Sequence, residues 1–168
     1  MMIVSATALC MSAYMTGLPN PEYICEHTRT VKELSEDYNI QPEIIMSLVY
    51  HESRWTSTAR SRAGACGLTQ VIPKWSRDPR VTCKQLINNP TLALKTGVKM
   101  LNNVLRPKRY ANGNMKVALC MYNAGPSRCR YGGVKQRGNR YSRKVLKTAG
   151  NLRKKMVEYY EEFGPDDE

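Results

Sequence analysis

His51-Glu52-Ser53-Arg54-Trp55 closes an apolar run, and Ala59-Arg60-Ser61-Arg62-Ala63-Gly64-Ala65-Cys66-Gly67-Leu68-Thr69-Gln70 follows it. The run begins at Pro42, a residue favoured at the first position of a helix, and its apolar residues recur at helical spacing. Glu52 stands four residues after Leu48, so its carboxylate falls on the buried stripe of this predicted helix. The glycines that follow predict a turn. A single acid at an apolar helix end is therefore the first candidate functional site of this chain.

The pKa of Glu52 is expected to lie above its ordinary value. Burial disfavours the anion, and the negative end of the helix dipole near the last turn acts in the same direction. A glutamic acid that stays protonated near neutral pH is what a glycosidase needs to protonate a leaving oxygen. The alternative interpretation is a helix-end glutamate paired with Arg54 or His51. A zinc-protease motif is excluded, because Trp55 stands where H-E-x-x-H requires its second histidine.

A second carboxylate is not evident near Glu52 in the sequence. Ordinary glycosidases use two carboxylates, yet the next acidic residues after Glu52 are Asp78 and then Glu158. Asp78 is followed by Pro79-Arg80, a setting that suits a surface turn. Either Asp78 folds back toward Glu52, or the reaction needs no second protein group to activate water.

The remaining periodicity is helical, and no convincing period-2 stretch appears, so the fold class is mainly α. Residues 56–83 are predicted as loop with at most one short helix near 68–72, and residues 126–140 as a second loop. A capping box at Thr30-Val31-Lys32-Glu33 predicts a short helix that ends near Asn39. Three further helices are predicted: one after Asn89-Pro90, one from Asn114 to Gly125-Pro126, and one from about Ser142 to Phe163.

The chain is divided into three parts on composition. Residues 1–18 carry no charged side chain, but no Lys or Arg precedes them as in a secretion signal, and they are short for a membrane span. We expect residues 1–24 to be a leader or anchoring segment, held by a partner or by its own domain. Residues 25–163 are expected to form one globular domain, and residues 164–168 an acidic, frayed tail.

The formal net charge is +12, and no Asp or Glu occurs between Asp78 and Glu158. A segment of one sign attracts polyanions, so weak contact with nucleic acid or another anionic polymer through the basic segment 79–157 is one interpretation. The other is a solvated basic face with no dedicated partner.

Six cysteines are present, at positions 10, 25, 66, 83, 120 and 129. An even number permits three disulfides. We expect one or two, with buried free thiols as the alternative, and the spacing gives no connectivity. No C-x-x-C pair occurs, so a zinc site is not expected, and no cofactor is predicted.

Several motifs resemble the soluble-lytic-transglycosylase family, whose fold is similar to goose-type lysozyme, with helices around a substrate groove. Glu52-Ser53 and Gly67-Leu68-Thr69-Gln70 carry the first part of the resemblance, and Ala118-Leu119-Cys120-Met121-Tyr122-Asn123-Ala124-Gly125 the second. Ala59, Ser61, Gly64-Ala65, Asn89-Pro90, Gly97, Leu101 and Tyr141 add to it. Thr69 stands where the family often has methionine, and Cys66 and Cys120 are unusual at their positions.

The resemblance implies that Glu52 is the single catalytic acid and then base, and that the substrate is peptidoglycan. The family cleaves the β-1,4 bond between N-acetylmuramic acid and N-acetylglucosamine. The muramic 6-hydroxyl attacks its own anomeric carbon and forms a 1,6-anhydro end, so one carboxylate suffices. The implied substrate-binding residues are Ser61, Gly67, Gln70, Tyr122, Asn123 and Tyr141. Ser61 would either hydrogen-bond Glu52 or stabilise the turn, and Gly67 would let the backbone approach the substrate.

Three functions are kept open. The first is a lytic transglycosylase, acting in a phage virion or another assembly that residues 1–24 contact, or in the bacterial periplasm. The second is a hydrolytic lysozyme in which Asp78 or another group positions water. The third is a non-catalytic structural or nucleic-acid-contacting component of a virion, for which steep salt dependence of DNA binding would be the sign.

Overall fold

Proline and asparagine residues set the starts of the central helices. In the computed structural model, α3 begins at Pro42, where the missing N–H of proline costs no helical hydrogen bond. The side-chain oxygens of Asn89 and Asn114 accept hydrogen bonds from the amides of Leu92 (2.9 Å) and Val117 (3.1 Å), and so cap α5 and α6. These three helix starts were predicted from the sequence and are confirmed.

The structure describes residues 4–76, 78, 80–129 and 136–165. In chain order the helices are α1 (Ala6–Met15), α2 (Pro21–Tyr38), α3 (Pro42–Ser53), α4 (Cys83–Asn88), α5 (Pro90–Leu105), α6 (Met115–Ala124), α7 (Pro126–Cys129) and α8 (Gln136–Phe163), with a single 3₁₀ turn at Pro73–Trp75 before α4. Within these residues, extended chain pairs only at isolated bridges, Arg60 with Cys66 and Cys66 with Val71. The predicted mainly α class is confirmed.

Three boundaries predicted from the sequence are wrong. Thr30 does not open a helix but lies inside α2, which starts at Pro21, because a capping-box pattern is equally compatible with a helix interior. The loop predicted over 126–140 contains α7 and the start of α8, while residues 130–135 lie outside the described part of the chain. The short helix expected near 68–72 is instead the 3₁₀ turn that follows at Pro73–Trp75.

The long helix α8 packs against α1, α3 and α6, and α5 packs against α2 and α6. Val145 and Leu152 of α8 are fully buried in the same hydrophobic cluster as Leu48 of α3 and Leu101 of α5. Ser47 of α3 donates a hydrogen bond of 2.7 Å to the Val145 carbonyl of α8. This contact fixes the two helices that carry the site described below.

The helix α1 packs on α2 and α8, with Leu9 fully buried. The Ser5 amide donates to the Tyr160 hydroxyl at 2.7 Å, which joins the start of α1 to the end of α8. The helix α2 runs without a break through residue 24, so no boundary between elements lies there, and the division of the chain at that position stays a prediction.

None of the helices in the described part of the chain is both long and apolar enough to cross a membrane. Of the predicted acidic tail, Asp166–Glu168 lie outside the described residues.

All six cysteines are paired, where one or two disulfides or free thiols were expected. Cys10 of α1 bonds to Cys25 of α2, Cys66 in the loop to Cys83 of α4, and Cys120 of α6 to Cys129 of α7. Each bridge joins neighbouring elements that are close in the chain. The sequence could not give this pairing, because connectivity depends on which elements are in contact.

Candidate active site

Glu52 lies in the last turn of α3, and the backbone reverses immediately after it. Arg54 and Trp55 both have positive φ angles, 54° and 59°, a conformation that non-glycine residues rarely adopt. The Trp55 side chain is 1% exposed and holds this turn in the core. The turn thus ends the helix directly behind Glu52, and the burial of Trp55 stabilises its unfavourable backbone.

The carboxylate of Glu52 accepts a hydrogen bond from the hydroxyl of Tyr141 on α8. Burial raises the pKa of Glu52 to about 7, and the Tyr141 hydrogen bond opposes this in part because it favours the anion. The direction matches the prediction from the apolar helix end. Near neutral pH a substantial fraction of Glu52 therefore stays protonated, as a group that first donates a proton and then accepts one requires.

The two alternative partners of Glu52 considered from the sequence are engaged elsewhere. Arg54 donates to the Tyr50 hydroxyl at 2.5 Å and its guanidinium carbon stands 4.6 Å from the centre of that ring. The Nε2 atom of His51 lies 2.9 Å from the Thr148 hydroxyl. Neither side chain neutralises Glu52, and this is consistent with its raised pKa.

Tyr122 on α6 is close enough to this carboxyl group for the negative charge of Glu52 to act on it. Its hydroxyl donates a 2.7 Å hydrogen bond to the Thr69 carbonyl oxygen. Burial raises the pKa of Tyr122 and of Tyr141 well above the usual range, and the negative charge of Glu52 adds to both shifts. The structure therefore brings together Glu52, Tyr122 and Tyr141 from α3, α6 and α8, and their contact with substrate stays a prediction.

The loop residues of the predicted site hold the loop in shape. Gln70 has a φ of 48°, and its amide nitrogen donates to the carbonyls of Ala59 (3.1 Å) and Gly67 (3.0 Å). Ser61 is exposed, and its hydroxyl oxygen accepts from the Ala65 amide at 3.0 Å. Of the two roles expected for Ser61, the structure shows turn stabilisation and gives no hydrogen bond to Glu52.

Gly67 permits a close approach, but to the protein itself. A Cβ atom at this position would lie 2.6 Å from the Leu86 carbonyl oxygen of α4, and φ is +73°. On the side where a Cβ would point, Gly67 packs on α4, and the expected approach of substrate to Gly67 stays a prediction. Asn123 follows Tyr122 in the last turn of α6 and is exposed, and its contact with substrate stays a prediction.

Thr69 and Gly97 support the site, and neither was assigned such a role from the sequence. The Thr69 side chain is fully buried, and its hydroxyl donates to the Ala93 carbonyl of α5 at 2.7 Å. A Cβ at Gly97 would lie 2.4 Å from the Cβ of Thr69, so only glycine allows α5 to pass this close. A glycine on the inner face of a long predicted helix was the available signal.

Asp78, the candidate second carboxylate, lies in a different place. Its side chain pairs with Arg80 at 3.1 Å, and Arg80 lowers the pKa of Asp78. It lines a cavity of about 280 Å³ between α2 and α5, together with residues such as Tyr38 and Lys99 and with none of the site residues described above. The expectation that Asp78 folds back toward Glu52 is not met. Among the described residues, no cluster of three or more His, Cys, Asp or Glu side chains could hold a metal.

The family model for the transglycosylase SLT domain matches residues 29–145, and the chain belongs to this family. A transglycosylase of Enterobacteria phage PRD1 is 29% identical over 123 residues, which are 73% of this chain and 43% of that protein. The X-ray structure of an inactive mutant of the lytic transglycosylase Slt from Pseudomonas aeruginosa superposes with a TM-score of 0.66 at 22% identity, over 96% of this chain and 31% of that one. The lysozyme-like fold is thereby confirmed. The chain spans less than half the length of either relative.

Proposed function

We propose that this chain is a peptidoglycan lytic transglycosylase with Glu52 as its only catalytic carboxyl group. The observation that carries the proposal is a buried carboxyl whose pKa is raised to about 7 and whose partner is the Tyr141 hydroxyl. Asp78, the next acid after Glu52 along the chain, is paired with Arg80 and lines another cavity. A reaction in which the substrate supplies its own nucleophile needs no second carboxylate. Membership in the SLT family supports this assignment.

In the proposed reaction, protonated Glu52 donates its proton to the oxygen between N-acetylmuramic acid and N-acetylglucosamine as that bond breaks. The resulting carboxylate then accepts the proton of the muramic 6-hydroxyl while this oxygen bonds to the anomeric carbon. The products are a 1,6-anhydro muramic end and a free N-acetylglucosamine hydroxyl, and no water is consumed. Tyr141 would stabilise the intermediate carboxylate with its hydroxyl. Tyr122, Asn123 and Gln70 would bind the sugars.

The test is digestion of purified peptidoglycan by wild type and Glu52→Gln, with mass spectrometry of the released fragments. Loss of the proton donor should lower the rate at least ~100-fold. Glu43→Gln is the matched control. Glu43 is also buried on α3, at 5% exposure with a raised pKa, but lines a separate cavity of about 240 Å³ with residues that include Lys32 and Arg153. Fragments with reducing ends would establish a hydrolytic lysozyme and overturn the transglycosylase assignment.

We further propose that the enzyme acts on the bacterial wall from a phage particle, where residues 1–24 contact other proteins of the assembly. The relative from phage PRD1 supports this setting, and the partly exposed Tyr14 and Met15 at the end of α1 are available for such contact. Mass spectrometry of purified particles tests the proposal. Finding the chain only in periplasmic extract and never in particles would contradict it.

A further inference from the structure

The first two turns of α8 beyond residue 139 carry an uncompensated row of positive charge. Arg140, Arg143, Lys144 and Lys147 are all exposed and lie at spacings of three and four residues, so they share one face of the helix. The ion pairs found in the described part of the chain involve other residues, and those of α8 lie near its end, at Glu158. No acid of the sequence precedes Glu158 in this helix.

This arrangement opposes the stability of the helix. Like charges four residues apart, as in Arg140 with Lys144 and Arg143 with Lys147, repel each other. The helix dipole favours acids near the first turn and bases near the last, whereas α8 has no acid in its first turn and no base in its last. A row of one sign on an exposed helix face attracts anionic ligands.

The row borders the candidate active site. Tyr141, which donates to Glu52, lies in the same turns of α8, three residues before Lys144. Arg54 follows Glu52 by two residues. Burial lowers the pKa of His51, and the positive charges of Arg54 and Lys144 add to that shift. The Nε2 atom of His51 lies 2.9 Å from the Thr148 hydroxyl, so the end of α3 contacts this part of α8. We define the cationic rim as these five exposed side chains: Arg54, Arg140, Arg143, Lys144 and Lys147.

We propose that the cationic rim binds carboxylates of the peptide stems carried by muramic acid, so that the enzyme favours stem-bearing glycan over stem-free glycan. This inference rests on the proposed function, because it names a part of the same substrate. The stem is attached to the sugar that Glu52 would cleave, so a glycan bound at Glu52 and Tyr141 would hold its stem carboxylates beside the rim. Guanidinium and ammonium groups bind carboxylates through charge-assisted hydrogen bonds.

The test compares two variants with the same loss of charge. The rim variant is Arg143→Gln/Lys144→Gln/Lys147→Gln, and the control is Lys84→Gln/Lys95→Gln/Lys99→Gln, three exposed lysines on α4 and α5. The readout is kcat/KM on intact peptidoglycan divided by kcat/KM on strands stripped of stems by an amidase. Three exposed charge contacts should together change this ratio about tenfold, mainly through KM. The rim variant should melt no lower than wild type, because its substitutions remove like-charge pairs.

A ratio that falls in the rim variant and not in the control supports the proposal. An unchanged ratio, or an equal fall in both variants, overturns it. A fall in kcat/KM that appears only on walls carrying phosphate polymers also overturns the proposal. A loss of duplex DNA binding with an unchanged ratio overturns it as well. If wild type cleaves neither substrate, the proposed function fails, and co-sedimentation of the same variants with stem-bearing and stem-free material decides separately whether the rim recognises stems.

Discussion

At the scale of single residues, Glu52 and Tyr141 are expected to set the pH range of the proposed reaction. The Tyr141 hydroxyl favours the carboxylate, so its removal leaves burial unopposed and raises the pKa of Glu52 above about 7. We expect Tyr141→Phe to move the alkaline limb of the kcat/KM profile to higher pH, because Glu52 stays protonated there. Tyr122→Phe is the control, since its hydroxyl donates to the Thr69 carbonyl instead. A limb that stays in place in Tyr141→Phe would show that the hydrogen bond does not tune the acid.

The same carboxyl group lowers the stability of the fold. The ordinary pKa of a glutamic acid is 4.5, and that of Glu52 in the folded chain is about 7, so the folded state holds more protons between these values. The free energy of unfolding therefore falls as pH rises through this window, by up to about 3 kcal/mol, and the full cost is present above pH 7. We expect Glu52→Gln to be more stable than wild type at pH 8 and equally stable near pH 4. Urea titrations at the two pH values measure this; an equal difference at both would contradict it.

Part of the site was accessible from the sequence. The raised pKa of Glu52 followed from an apolar helix end, and the structure agrees in direction. The nearness of Tyr122 and Tyr141 came only from the family resemblance, because 70 and 89 residues separate them from Glu52. Thr69 holds Tyr122 through its backbone carbonyl oxygen. A sequence pattern describes side chains and so could not predict this contact.

At the scale of elements, two glycines inside helices should respond in opposite directions to the same substitution. Gly97→Ala on α5 places a Cβ 2.4 Å from that of Thr69, whose hydroxyl is bonded to Ala93, so the loop must move. We expect a loss of about 1–3 kcal/mol in the free energy of unfolding. Activity should fall as well, because the displaced Thr69 carbonyl no longer holds Tyr122.

Gly150→Ala on α8 is the matched control. No atom lies within 4 Å of a Cβ at Gly150, so only the helix preference of alanine remains and about 0.5–1 kcal/mol should be gained. Urea unfolding and glycan digestion of both variants give the comparison. A Gly97→Ala variant as stable as Gly150→Ala would mean that α5 and the loop are not in tight contact.

Helix starts were predictable where a single residue supplies the physical cause. Pro42, Asn89 and Asn114 each begin a helix as expected, through a fixed φ or a side-chain cap. The capping box at Thr30 failed because tertiary packing continues α2 through it, with Val31 and Leu34 buried. Packing of this kind is set by partners far away in the sequence.

At the scale of the whole molecule, the three disulfides make stability depend on redox conditions. Disulfides persist in oxidising surroundings, such as a virion or the periplasm. Cys10 and Cys25 are 15 residues apart, and a loop of this length corresponds to about 3 kcal/mol. We expect Cys10→Ala/Cys25→Ala to lose about this much in the free energy of unfolding. Dithiothreitol should lower the melting temperature of wild type by more than that of the variant; equal shifts would show that this bridge contributes nothing.

The hydrogen bond from the Ser5 amide to the Tyr160 hydroxyl joins positions that are 155 residues apart. A peptide linker of about ten residues would therefore span from the end of α8 back to the start of α1. New termini opened at the exposed Asn112-Gly113 turn would yield a circularly permuted chain with the same core. Such a permutant would place a fused binding module beside the turn between α5 and α6.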